Sequence, residues 1–176
     1  VQHLVGLETP RASSARLRQV RPVDRPCDLT RATFAGGQRY GFTRTGDNSA
    51  TWNHGRLATQ QLLNLGISGI SFVGADIGGF NGSPEPDLLT RWIEIGAFNP
   101  LFRDHTTKGS LMQEVWVHGP EHEAIRRRYI ETRYRLMPYI YSLAEESSRT
   151  GLPMLRPIFL EFPEVFTPPS NGFGNL

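Results

Sequence analysis

A run of seven residues, Ile67-Ser68-Gly69-Ile70-Ser71-Phe72-Val73, constrains the fold more than any other feature of the chain. It has strand length, is mostly apolar, and lies between segments with helical spacing. Such a strand suits a position covered on both faces, which is how parallel α/β sheets bury theirs. Before it, Leu57, Ala58, Gln61, Leu62 and Leu65 fall at helical spacing, with Gly66 as the expected stop. After it comes the glycine-rich turn Gly74-Ala75-Asp76-Ile77-Gly78-Gly79-Phe80. A helix is predicted over 87–98, burying Leu88, Leu89, Trp92 and Ile93 with Ile95 at its margin. Upstream, Leu29 to Phe34 and Tyr40 to Thr45 read as short strands, each closed by a turn-forming cluster. Strands alternating with helices predict a parallel α/β architecture.

The second half of the chain is simpler. Residues 99–118 read as a loop too long to be a plain connection. A long helix is predicted over 121–148, with Glu121 and Glu123 favouring its N-terminal dipole and Gly151 ending it. Ile125, Tyr129, Ile130, Leu136, Met137, Ile140 and Leu143 form its apolar positions, and Pro138 is expected to kink or split it. Met154 to Phe162 reads as strand-like, and residues 164–176 as a Pro/Gly-rich tail. Residues 1–26 show no period of either kind and read as an irregular, Arg-rich leader.

The chain has 176 residues, 19 Lys+Arg against 17 Asp+Glu, and one Cys. The small surplus of positive charge traces to the leader, where Arg11, Arg16, Arg18, Arg21 and Arg25 face only Glu8 and Asp24. A solvated arm explains that better than a nucleic-acid grip. A lone Cys27 makes no internal disulfide and no Cys-based zinc site. No apolar run approaches about 18 residues, so no membrane span is expected. The first residues lack signal-peptide order. The N-terminal Val suggests a processed or incomplete product, and the sparse cysteine favours a reducing, cytoplasmic compartment.

Polar groups cluster just after strands, where α/β folds carry their sites. Asp47 could be a general acid/base, or an aspartate serving a turn or a helix N-terminus. Asp76 sits in a turn that fits neither phosphate-binding template, so it is held near a ligand or bonds its own backbone. Phe80 could be a stacking wall. His105, in Phe102-Arg103-Asp104-His105, could donate to sugar hydroxyls, act as a base, or lie on the surface. His54, His118 and His122 read as surface residues, and Arg126-Arg127-Arg128 as a solvated face. Trp52, Trp92 and Trp116 read equally as core or as sugar platforms. No metal site is expected.

Read in order, these segments resemble glycoside hydrolase family 31, the α-glucosidase and α-xylosidase family. The matching stretches are Leu29 to Tyr40, Thr45-Gly46-Asp47-Asn48 with Trp52, and Ser68-Gly69 through Phe80. They continue through Arg91-Trp92, Gly96 to Pro100, Phe102 to His105, Gln113-Glu114, Arg133 to Tyr139 and Arg156-Pro157. The resemblance implies an α/β chain that supplies the later half of a (β/α)8 TIM barrel over residues 27–163, incomplete against the about 250 residues of a full one. It implies hydrolysis of α-linked glucosides or oligosaccharides with retention, without a cofactor, nucleic acid or membrane. Asp47 matches the acid/base. Arg31 and His105 match groups that contact sugar hydroxyls, and Asp76 a supporting pocket carboxylate. Phe80 matches an aromatic wall and Arg103 a residue supporting the site.

Departures accompany the resemblance. Arg44 stands three residues before Asp47, where the family commonly has an aromatic, and Val115 replaces a common Pro. The family's nucleophile lies in a Trp-x-Asp-Met-Asn-Glu-like stretch before the segment carrying Arg31, and residues 1–26 hold nothing like it. Asp24 does not match, and Asp76 does not take the nucleophile's place. The 176 residues alone are therefore expected to be inactive, with a non-catalytic carbohydrate-binding remnant as the alternative reading.

Overall fold

The computed structural model describes residues 2–166, so the tail expected over 164–176 lies, from residue 167 on, outside the described residues. The element order is α1 (Gln2–Val20), β1 (Asp28–Thr30), β2 (Gly41–Arg44), α2 (Trp52–Ile67), β3 (Val73–Gly74), β4 (Asp76–Ile77), α3 (Pro86–Gly96), β5 (Arg103–Asp104), α4 (Pro120–Thr150) and α5 (Ile158–Glu161), with 3-10 turns at Gly37–Arg39 and Pro163–Phe166. All strand pairs are parallel: β1 with β2, β2 with β3, and β4 with β5. Only Ala75 separates β3 from β4. Residues 73–77 thus form one stave that pairs with β2 at its start and β5 at its end. Among the described residues, β1 and β5 each have a single strand partner. The result is an open α/β sheet of four parallel staves.

Two helices pack on the staves, α3 through the predicted apolar face and α2 through part of its own, with Leu57 and Gln61 left exposed. Helix α2 buries Ala58, Leu62 and Gly66, and α3 buries Leu88, Leu89, Trp92 and Ile93 against Ile77 and Ala75. Pro86 opens α3, where its missing N–H costs nothing. Gly66 is not the stop of α2: the helix continues to Ile67, Ser68 caps it, and Gly66 lies against Pro153. The expected strand at 67–73 is therefore displaced toward the C-terminus. Val73 to Ile77 are all buried, so part of the glycine-rich turn is itself the stave.

The leader is helical, not irregular. Its buried positions are Gly6, Pro10 and Ser14, spaced by four, a helical stripe of small residues that an apolar count passes over. Gly6 permits the contact: a Cβ there would stand 2.1 Å from the Ala32 carbonyl oxygen. The strand-like reading of 154–162 is also replaced. Pro157 precedes the single turn α5, and the Met154 N–H donates to Ser71 Oγ at 2.8 Å, which ties the segment to the base of the third stave.

Helix α4 is unbroken across Pro138 and ends at Gly151 in the left-handed conformation. Its buried residues are Arg126, Arg133 and Ser147, while the apolar stripe is only half covered. A cavity of about 460 Å³ separates Phe42, Phe72 and Leu101 from Ile130, Tyr134 and Met137 of α4. Arg126, expected on a solvated face, is fully buried. It donates to Thr90 Oγ1 at 2.9 Å, Val117 O at 2.7 Å and Pro86 O at 3.1 Å, and lies 2.9 Å from His118 Nδ1. A guanidinium survives burial there because loop and helix carbonyls meet its donors. Arg133 likewise binds Ala97 O and Pro100 O, each at 3.0 Å, and also Asn99 O. No helix among the described residues is long and apolar enough to cross a membrane.

Arg126→Met removes those donors from a fully buried position, so that Val117 O and Thr90 Oγ1 lose the partner that joins α4 to α3. It should lower unfolding free energy by about 2–5 kcal/mol in urea titrations. Its exposed neighbour variant Arg127→Met should leave the midpoint nearly unchanged. Equal effects would refute the buried-anchor assignment.

Candidate active site

The parallel register decides which side chains meet. Thr30 pairs with Thr43, Arg44 with Gly74, and Asp76 with Arg103. Arg31, Arg44, Asp76 and Arg103 therefore gather at or just past the C-terminal strand ends, and Asp47 follows in the loop after β2. Their charges alternate. Arg31 Nη1 lies 2.9 Å from Asp47 Oδ2. Arg44 Nη1 lies 3.5 Å from Asp47 Oδ1 and 3.0 Å from Asp76 Oδ2. Arg103 Nη1 closes the row at 3.0 Å from Asp76 Oδ1. Gly46, at φ +100°, makes room for the first of these cations: a Cβ there would stand 2.7 Å from Arg31 Nε.

The two aspartates occupy different settings. The Asp76 side chain is 1% exposed and that of Asp47 is 31% exposed. Burial pushes the Asp76 carboxyl above its ordinary range, against the downward pull of Arg44, Arg103 and His105. Two guanidinium contacts satisfy both of its oxygens, as a buried carboxylate requires.

Neighbouring loops are laced to this row. Asn48 Nδ2 donates to Asp76 O at 2.9 Å, and Asn48 Oδ1 accepts from the Phe80 N–H at 3.0 Å. The Phe80 ring faces His105 with centroids 5.1 Å apart and planes tilted by 31°. The Phe80 carbonyl accepts from the Thr107 N–H at 2.9 Å. Gln113, 3% exposed, donates to Gly79 O at 3.2 Å. The structure thus brings Arg31, Asp47, Asp76, Phe80, Arg103 and His105 to one end of the sheet. The sequence reading left Asn48 and Gln113 without a role. Only their positions beside Asp47 and Glu114 in the motifs signalled them.

The other candidates separate from this end. Trp92 is core, whereas Trp52 and Trp116 are exposed. The three histidines read as surface residues are half-buried and bonded instead: His54 Nδ1 accepts from the Ser49 N–H at 3.0 Å, His118 meets Arg126, and His122 Nδ1 lies 3.0 Å from Thr90 Oγ1. Each lines a polar seam between loop and helix that apolar periodicity does not record. Among the described residues no three His, Cys, Asp or Glu side chains group as a metal site.

Asp104, on β5 beside Arg103, is part of a motif in which the sequence reading assigned it no role. Its residue surface is exposed, yet local desolvation, with the Glu114 charge, pushes its carboxyl to about 7, against the pull of Arg126.

Side chains gathered at the C-terminal strand ends of a parallel α/β barrel occupy the place where barrel enzymes carry their chemistry. Comparison with known proteins is consistent with that layout. A sequence model described as the Glycosyl hydrolases family 31 TIM-barrel domain matches residues 1–143, and the chain belongs to this family. The probable glucan 1,3-alpha-glucosidase of Oryza sativa subsp. japonica is 50% identical over 149 residues, covering 85% of this chain and 16% of that protein. Neutral alpha-glucosidase C of Homo sapiens is 48% identical over 141 residues, covering 80% of this chain and 15% of that protein. Among solved structures, the family 31 alpha-glucosidase from Bacteroides thetaiotaomicron superposes with a TM-score of 0.88 at 42% identity, covering 92% of this chain and 28% of that one. The glucosidase II alpha subunit gives 0.87 at 37% identity, covering 92% of this chain and 18% of that one. The chain spans about a sixth of the length of the curated relatives it matches.

The Asp104 setting predicts a pH effect. Between 3.8, the ordinary value, and about 7, the folded chain holds a proton that the unfolded chain has released. Stability therefore falls as pH rises through that window. Asp76 works in the same sense. His118, lowered from 6.5 by burial, works oppositely below that pH. Denaturation midpoints of wild type and Asp104→Asn, compared from pH 5 to 8, isolate the aspartate: the variant should lose less stability on raising pH. Parallel curves would refute the assignment.

Proposed function

We propose that this chain supplies the acid/base half of a retaining α-glucosidase acting on α-linked glucosides. The single observation behind this reading is the contrast between the two neighbouring aspartates at the strand ends. Each carboxylate meets two arginines, but Asp47 is 31% exposed and can reach a ligand, while Asp76 is 1% exposed and closed to one.

In this reading the Asp47 carboxyl donates its proton to the glycosidic oxygen as the C1–O bond breaks. A second carboxylate forms the glycosyl-enzyme bond at C1. Asp47, now ionised, then takes a proton from the water whose oxygen attacks C1 and releases that carboxylate. In retaining enzymes the two carboxyl groups stand about 5–5.5 Å apart. Residues 1–176 hold no match to the family's nucleophile stretch, so the second carboxylate is assigned to a part of the enzyme outside them. Arg31 and His105 contact sugar hydroxyls, Phe80 walls the ring, and Arg103 and Asp76 support the site. Apolar walls with a few placed polar groups are how such pockets select one sugar. The matched relatives carry α-glucosidase names, which supports glucose as the sugar recognised.

The test uses the full-length protein that carries these residues. Asp47→Ala should cut kcat/KM for phenyl α-glucoside by about 10²–10⁴-fold. Azide, which needs no general base, should restore turnover of 2,4-dinitrophenyl α-glucoside and yield α-glucosyl azide, with the substrate's configuration retained. Full activity in Asp47→Ala, or an azide product of inverted configuration, would refute the acid/base role.

A further inference from the structure

The central link of the alternating row is a residue to which the family resemblance gives no role. Arg44 is the last residue of β2, and the register sets it opposite Gly74. The Arg44 side chain is 21% exposed and Asp76 1% exposed, so their 3.0 Å contact is shielded from water. The contact to Asp47, at 3.5 Å, is longer and closer to solvent. One guanidinium nitrogen therefore spans the buried anchor and the open carboxylate. Arg31 holds the other Asp47 oxygen, from an exposed side chain on a separate stave. Without Arg44 the row of five splits into two independent pairs, Arg31 with Asp47 and Asp76 with Arg103.

We propose that Arg44 is a positioning residue: anchored on buried Asp76, it fixes the direction in which the Asp47 carboxyl meets the leaving oxygen. The inference rests on the acid/base reading of Asp47. A fixed guanidinium on one oxygen leaves fewer rotamers for the short aspartate side chain, and acid catalysis depends steeply on such geometry. Lysine at this position keeps a charge but not the planar fork, so it restores the interaction only in part. The contribution is selective. Protonation of the leaving oxygen matters most when the leaving group is a poor one, and least when it departs readily as an anion.

That selectivity separates positioning from a general structural role. In the full-length protein carrying this chain, kcat/KM is measured for phenyl and 2,4-dinitrophenyl α-glucosides in wild type, Arg44→Met, Arg44→Lys and Asp47→Ala. Arg44→Met should lose about 10–100-fold on the phenyl substrate and stay within about threefold on the dinitrophenyl one, a smaller version of the Asp47→Ala pattern. The loss should fall in kcat rather than KM, and Arg44→Lys should recover part of it. If Arg44→Met fails to fold, Arg44→Lys carries the test through the same substrate ratio. Equal losses on both substrates, or no loss, would overturn the positioning role while leaving Asp47 in place. A wild type active on both substrates with Asp47→Ala unimpaired would instead overturn the acid/base reading, and this inference with it.

Discussion

The buried carboxylate of Asp76 is the constraint around which the open end of this sheet is organised. A charge at 1% exposure is costly unless both oxygens are met, and here Arg44 and Arg103 meet one each. Those arginines come from the staves on either side, so the ion pairs also fasten the third stave to its neighbours. The strand ladders are only two or three residues long. Side-chain pairing at the strand ends therefore supplements a sparse backbone hydrogen-bond network exactly where the loops diverge. The carbonyl of the same aspartate receives Asn48, and the loop bearing Asp47 is drawn over it.

A second polar centre supports the walls. Arg126 reaches from α4 to the start of α3 and to the backbone at Val117, while Gln113 reaches from the long loop to Gly79. The loop over 105–119 is thus held from both sides, one contact toward the helices and one toward the turn after β4. Phe80 and His105 face one another across that junction. Both residues sit on loops, yet rigid elements fix their backbones, a common arrangement for binding residues.

The four staves also explain the unusual surface. Phe42 and Phe72 pack edge to face at 5.1 Å, and the space beyond them is only partly filled by α4. Tyr134, Met137 and Tyr141 remain exposed along that helix. A closed barrel fills such an interior with side chains from all its strands and abolishes sheet edges. Four staves do neither, which fits a chain spanning a small share of its relatives' length.

What the sequence determined by itself was the parallel α/β order, the existence of helices α2 and α3 with the buried face of α3, and Asp47 in a loop after a strand. Apolar periodicity and turn chemistry record those features locally, and the ordered motifs carry the family. Asp76 and Arg103, read as turn and loop, lie on the short strands β4 and β5. Tertiary structure alone decided the rest. It showed 2–20 to be a helix docked through Gly6, Pro10 and Ser14, with Gly6 against the Ala32 carbonyl, a contact that apolar periodicity does not record. It buried Arg126, because its acceptors come from backbone far along the chain, where no spacing rule reaches. It joined Arg44 to Asp76 across 32 positions, because parallel register sets strand ends side by side and local sequence does not encode register.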